Sequence, residues 1–171
     1  MLRYLLDTNI CIYVIKQRPL FMLDVFNRHA GTMAISAITL SELLHGVEKS
    51  SVPEKNMAVV ENFCSRLEVL TYGSKAALHY GQIRSELEQR GTPIGINDLH
   101  IAAHARSEGL TLVSNNLREF ERVEGLLLQN WATPDGEMPA NNESQSALRV
   151  TVQNDRNPTG PVADNDWETL K

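Results

Sequence analysis

The 171-residue chain has little of what marks secreted, membrane-spanning or metal-stapled proteins. Its two cysteines, Cys11 and Cys64, lie far apart and fit no metal-ligand spacing. That excludes a disulfide framework, and two buried free thiols are expected. No apolar run approaches the roughly 20 residues needed to cross a bilayer. The N-terminus has no basic segment leading into an apolar block and a small-residue cleavage site, so no secretory signal is read and a cytoplasmic protein is expected. There is no excess of positive charge: the formal net charge is −5, which argues against broad nucleic-acid binding. Internal repeats are absent. The turn Gly91-Thr-Pro-Ile-Gly95 lacks the Lys-Ser/Thr pair of a phosphate-binding Walker loop.

Apolar residues make up 42% of the chain, enough for one domain with a proper core. The charge is uneven. Residues 1–132 carry 13 Lys+Arg against 14 Asp+Glu, a net of −1, whereas residues 133–171 carry 3 against 7, a net of −4. The body is therefore free to present a basic face. A composition break falls just after Trp131: the tail holds Pro134, Pro139, Pro158 and Pro161, no Ile or Phe, and Trp167 as its only aromatic. Such a segment buries too little apolar area to offset chain entropy. The expected organisation is a domain over 1–132 and an acidic, Pro/Gly-containing, mostly disordered tail over 133–171. Within that tail, the alternation over Leu148–Val152 allows one short strand or a docking segment. A cloning or read-through origin for the tail is also open.

The body alternates strand and helix signals. Strands are expected over 2–6, 33–36, 68–71 and 110–114, with a weaker one over 126–129. Helices are expected over 19–29, 39–50, 53–66, 74–90 and 97–107. Pro19 and Pro53 lie early in two of them, and Gly91 and Gly109 stop two others. Ser74 is read as one cap, and Asn97 or Asp98 as another. Short buried strands alternating with helices imply an α/β fold: a short parallel sheet of four to five strands flanked by helices on both faces.

In open sheets of this kind ligands bind beyond the carboxyl ends of the strands. Asp7 follows the first strand directly, in "LLDTN". Glu42 lies six residues after the second strand, among Leu40, Leu43 and Leu44. Asp98 opens the helix in "GINDLHIAAHA", and the "LTLVS" strand runs into Asn115-Asn116. Each has a plain structural reading: Asp7 and Asp98 as helix caps, Glu42 as a solvated helix residue. Together they place three carboxylates on one edge of one sheet. Like charges so gathered repel, and burying them is costly unless a cation neutralises them. Hard oxygen ligands suit Mg²⁺ or Mn²⁺, and such a site supports in-line phosphoryl displacement.

The segments "YLLDTNICIYVIK", "ISAITLSELLHGVEKS", "INDLHIAAHA" and "LVSNNLREFERVEGL" together resemble a PIN-domain nuclease, and more narrowly the VapC toxins of bacterial toxin–antitoxin pairs. The resemblance runs from residue 1 to Trp131. It implies a PIN-like fold and a Mg²⁺- or Mn²⁺-dependent endoribonuclease, acting as a homodimer and blocked by a cognate antitoxin. The RNA substrate it suggests is a tRNA, cut in the anticodon region of the initiator species. By position it implies Asp7 and Asp98 as principal metal ligands. Glu42 would bind the metal directly or through water and help polarise the nucleophile. Many relatives carry Asp where this chain has Asn116, which offers an amide oxygen but no charge and puts a second metal in doubt. Glu119, three residues on, is read either as partial compensation or as a solvated or capping residue. Thr8 and Asn9 are candidates for holding the metal or the scissile phosphate, or alternatively for capping the first helix. Arg118 and Arg122 are the candidates for phosphate contact, and for recruiting an acidic partner.

Three further readings stand beside this one. A haloacid-dehalogenase-type phosphatase also places Asp after its first strand, but it wants a second Asp two residues later, where this chain has Asn9. A degenerate PIN module that only binds RNA or a partner is favoured by Asn116 alone. A zinc site on His100 and His104, four residues apart on one helix, lacks a third soft ligand.

Overall fold

The computed structural model describes residues 1–133. The proposed boundary of the tail, its disorder and the strand over Leu148–Val152 lie outside the described residues, apart from Thr133.

Five strands form one all-parallel sheet: β1 (Tyr4–Leu6), β2 (Met33–Ser36), β3 (Glu68–Leu70), β4 (Thr111–Val113) and β5 (Leu128–Gln129). Their spatial order is β3-β2-β1-β4-β5. The central strand pairs Leu5 with Ala34 on one side and with Leu112 on the other. Seven helices surround the sheet: α1 (Thr8–Lys16), α2 (Phe21–Arg28), α3 (Ala37–Lys49), α4 (Pro53–Cys64), α5 (Ser74–Gln89), α6 (Ile96–Glu108) and α7 (Leu117–Phe120).

Successive strand side chains point to opposite faces, and the core divides accordingly. Tyr4, Leu6, Met33, Ile35 and Val113 meet α1 to α4 through Ile10, Val14, Phe26, Leu43 and Phe63. On the other face Leu5, Ala34 and Leu112 meet α5 to α7 through Ile83, Leu87, Leu99, Ala102 and Phe120. Each face of the sheet thus carries its own buried apolar cluster under helices, so the expected three-layer α/β architecture holds. The edge strand β3 departs from the expectation of buried strands. It has only one neighbour, and Glu68 and Val69 are exposed.

Several boundaries moved for identifiable reasons. Helix α1 was expected only as the helix that Asp7, Thr8 or Asn9 would cap, without bounds. It is apolar over Ile10–Ile15 and shows no two-sided pattern, yet Asp7 caps it by accepting from the Thr8 N–H at 2.7 Å. Ser74 is the first residue of α5 and not its cap; Gly73 stands there without a side-chain bond. The cap reading of Asn97 and Asp98 also fails. Gly95 takes the cap position of α6, which puts Asp98 inside the first turn with its carboxylate unspent on the backbone. Gly109, at φ +65°, ends α6 in the left-handed conformation that glycine adopts without Cβ strain. Cys11 is buried, but Cys64 is only half-buried, and both are free thiols.

The strand order locates the functional edge. β1 leads to α1 on one face, whereas β4 leads to α7 on the other. Their carboxyl ends therefore flank a crevice at the reversal of strand order. The Asp7 N–H donates to Val113 at 3.0 Å, so the β1–β4 ladder itself carries Asp7 to that crevice.

Candidate active site

Asp7 is 3% exposed, and both its oxygens are occupied. Oδ1 accepts from the Thr8 N–H at 2.7 Å, and Oδ2 accepts from the Ser114 hydroxyl at 2.7 Å. Ser114 is itself fully buried, and its Oγ accepts from the Asn116 N–H at 2.9 Å. The end of β4 thus orients the acid at the end of β1. Ser114 was not among the sequence candidates, although the strand it closes was.

Glu42 arrives from α3. The buried Ser36 caps that helix, accepting from the Ile38 N–H at 3.1 Å. Glu42 is half-buried and is aimed by two donors: the Thr8 hydroxyl to Oε2, and Asn97 Nδ2 to Oε1 at 2.8 Å. Asp98, on the first turn of α6, accepts from Asn116 Nδ2 at 3.0 Å. Asn116 therefore holds one of the acids through its amide.

Glu119 joins the group through a contact that sequence spacing does not reveal. Its Oε2 accepts from the Gly95 N–H at 2.9 Å, and its carboxyl lies within hydrogen-bonding reach of Asp98. Gly95 has no Cβ; one built there would sit 3.6 Å from Asp98 Oδ2 and 3.7 Å from Glu119 Oε2.

The electrostatics follow from this crowding. Burial, with smaller repulsions from Glu42 and Glu119, raises Asp7 to about 6 against the hydrogen bonds from Ser114 and Thr8. Burial, then repulsion by Asp7 and Glu119, raises Asp98 to about 7. Glu119 moves the other way, held below its ordinary value first by the Gly95 N–H. Within the Asp98–Glu119 pair, burial and repulsion thus favour the protonated form at Asp98, while the Gly95 N–H favours the carboxylate at Glu119.

The other candidates divide. Thr8 is buried within the network. Asn9 is exposed and takes no part in these contacts among the described residues. Arg118 is exposed on α7. Arg122 donates from Nη1 to the Pro93 carbonyl at 3.1 Å and lowers Glu119 electrostatically, so it braces the loop before α6. The zinc reading of His100 and His104 gains no third ligand among the described residues, and both rings have structural partners. His100 Nδ1 bonds the Tyr72 hydroxyl at 3.0 Å and the buried His104 Nδ1 bonds Ser36 Oγ at 2.9 Å. Burial lowers the pKa of both rings.

The donor set at the crevice is all oxygen and strongly anionic, which fits a hard divalent cation and not a soft one. Among the described residues, no three His, Cys, Asp or Glu side chains are grouped so as to hold a metal ion between them.

The PIN domain family profile matches residues 4–126. This chain belongs to the PIN-domain family. Its similarity to curated PIN relatives is high. Ribonuclease VapC2 of Haemophilus influenzae is 62% identical over 131 residues, covering 77% of this chain and 99% of that protein. The tRNA(fMet)-specific endonuclease VapC of Salmonella typhimurium is 55% identical over the same shares. Among solved structures, DNA-bound VapBC from Salmonella typhimurium superposes with a TM-score of 0.74 at 55% identity, covering 77% of this chain and 99% of that one. VapBC2 from Rickettsia felis, bound to a promoter DNA fragment, gives 0.73 at 45% identity, with coverages of 76% and 99%. Membership of the PIN family displaces the haloacid-dehalogenase alternative. Among the described residues no helix is long and apolar enough to cross a membrane.

Proposed function

We propose that this chain is a VapC-type toxin, a divalent-metal-dependent endoribonuclease that hydrolyses RNA phosphodiester bonds. The observation that carries the reading is the gathering of Asp7, Glu42, Asp98 and Glu119 at the β1–β4 crevice, with Asp7 and Asp98 driven toward neutrality by burial and mutual repulsion. Such a group is stable in its ionised form only beside a cation. Asp7 and Asp98 would hold Mg²⁺ or Mn²⁺, with Glu42 as a further ligand or a water-mediated one. The ion supplies Lewis-acid activation of water and neutralises charge on the phosphate. Glu42, fixed by Thr8 and Asn97, orients the attacking water and receives its proton. Asn116 keeps the Asp98 carboxylate turned inward, and Glu119 supplies the negative charge that Asn116 does not. Arg118, exposed on α7 one residue before Glu119, is the proposed contact for a phosphate oxygen of the incoming strand.

Initiator tRNA, cut in its anticodon region, is the proposed substrate. It is supported by the name of the Salmonella relative. A cognate antitoxin and a homodimer are proposed on the strength of the VapBC complexes that this chain resembles. The test is cleavage of a total tRNA pool by the purified chain with Mg²⁺, with EDTA, and by Asp7→Asn. One discrete, metal-dependent cut that the variant lacks is the expected result. Cleavage by Asp7→Asn at the wild-type rate would falsify the assignment of the centre. A fold-competent wild type that binds Mn²⁺ but cuts no RNA would favour a silenced, partner-binding module.

A further inference from the structure

A second concavity shares the 93–99 segment with the acidic centre. It has a volume of about 200 Å³ and is lined by Tyr80, Arg84, Leu87 and Glu88 of α5 and by Pro93, Ile94, Ile96 and Leu99. We infer that this pocket receives one unstacked nucleobase of the RNA strand, next to the nucleotide whose phosphate is cut. The inference rests on the nuclease reading and gives that centre a base-reading subsite.

The lining supports a flat, partly polar guest. Leu87 and Leu99 are core residues, so the floor is apolar and fixed. Ile96 is 67% exposed at the rim, an apolar side chain left in water at the start of α6. Arg84 is held flat by two bonds, Nε to Glu88 at 2.8 Å and Nη1 to the Tyr80 hydroxyl at 3.0 Å. Tyr80 is in turn stacked on His100, with centroids 4.2 Å apart and planes 19° apart. The Arg84 guanidinium, ion-paired with Glu88 and 6.0 Å over the Tyr80 ring, borders the apolar floor, and a guanidinium fixed in this way offers a face on which a base can stack. Glu88, whose Oε1 accepts from Arg84, also lines the pocket, and its second carboxylate oxygen suits an exocyclic amino group. The pocket therefore favours guanine, adenine or cytosine over uracil. Its volume lies below the roughly 300–1,000 Å³ of sites for larger ligands.

Position links it to the chemistry. Ile96 and Leu99 line the pocket, and Asp98 lies between them within one helical turn, about 5.4 Å of rise. The adjoining Gly95 holds Glu119. The acidic centre and the pocket thus draw on the same short segment, with Asp98 on a neighbouring face of the same first turn of α6.

Two measurements on the full chain separate this subsite from the nuclease reading. In EDTA, each of the four nucleoside 5′-monophosphates is titrated while the methyl NMR signals of Ile94, Ile96 and Leu99 are followed. GMP, AMP and CMP should shift them more than UMP, with affinity falling about tenfold in Arg84→Ala. Separately, cleavage of a randomised RNA is sequenced for wild type and Glu88→Gln. A preference against uridine at one position beside the cut, erased in Glu88→Gln, supports the subsite. Unmoved methyls with all four nucleotides, or shifts indifferent to Arg84→Ala, overturn it even if the enzyme cuts RNA. If the methyls respond as expected but no RNA is cut, the base pocket stands and the nuclease reading falls.

Discussion

At Asp7, burial and hydrogen bonding pull in opposite directions. Three donors and a cation would keep a carboxylate ionised, but the chain supplies only the Thr8 N–H and the Ser114 hydroxyl, and burial wins, at about 6. A folded-state value raised above the ordinary 3.8 means that the group's contribution to stability is fully present below about pH 4. It is lost as pH rises through about 6. In EDTA, wild type should therefore lose up to roughly 3 kcal/mol relative to Asp7→Asn between pH 4 and pH 8. Asp98 works in the same direction, discounted because it is partly exposed. Urea midpoints of both proteins across that range measure the loss, and Mn²⁺ should restore wild type at pH 8 but not the variant. A pH-independent gap between them would remove the burial argument. Glu119 gives a second prediction at this scale. As a carboxylate that supports Asp98, it should cost roughly 10- to 100-fold in activity on Glu119→Gln, less than Asp7→Asn. Single-turnover cleavage reads that ranking; equal activity would return Glu119 to a surface role.

Elements deliver these residues, and their ends matter more than their middles. Ser36 closes β2, caps α3 and bonds His104 of α6, so one hydroxyl ties together the helices bearing Glu42 and Asp98. Ser36→Ala should cost roughly 1–3 kcal/mol from the lost cap and the orphaned buried imidazole. It should also slow cleavage, because both acids lose their register. Calorimetry and the tRNA assay on the same sample check both halves, and a destabilised variant of undiminished activity would uncouple the cap from the centre. The elements also show what could be read in advance. Pro53, Gly91 and Gly109 punctuate the chain in ways local sterics enforce, and the helices they bound were legible. Helix α1 was legible only as the helix that Asp7, Thr8 or Asn9 would cap, since its apolar stretch over Ile10–Ile15 shows no polar face to set its bounds. Asp7, Glu42 and Asp98 could be read because strand ends predict an edge. Ser114 could not, and Glu119 was left between compensation for Asn116 and a solvated or capping role, because both depend on contacts across the fold. The bond from Gly95 to Glu119 spans 24 residues and has no local signature.

For the whole molecule, the question is where the working unit ends. Trp131 is 1% exposed, stacked on His29 with centroids 4.6 Å apart and edge-on to Tyr4 at 5.0 Å, so it seals the core beside the start of β1. The PIN match ends at residue 126, and the 131-residue alignments span 99% of the Haemophilus and Salmonella relatives. Every acid of the proposed centre and every residue lining the base pocket precedes Trp131. Residues 134–171 add four negative charges to the chain, 3 Lys+Arg against 7 Asp+Glu, and an acidic segment is repelled by both RNA and the acidic crevice. Truncation after Thr133 should leave the thermal midpoint within about 2 °C, since it removes no core contact described here. It should also leave the rate of tRNA cleavage unchanged at moderate salt, where repulsion beyond about 10 Å is screened. A large rise in activity on truncation would instead make the tail an inhibitor of its own domain, held by contacts other than simple charge. A fall in the midpoint would extend the folded unit past Trp131.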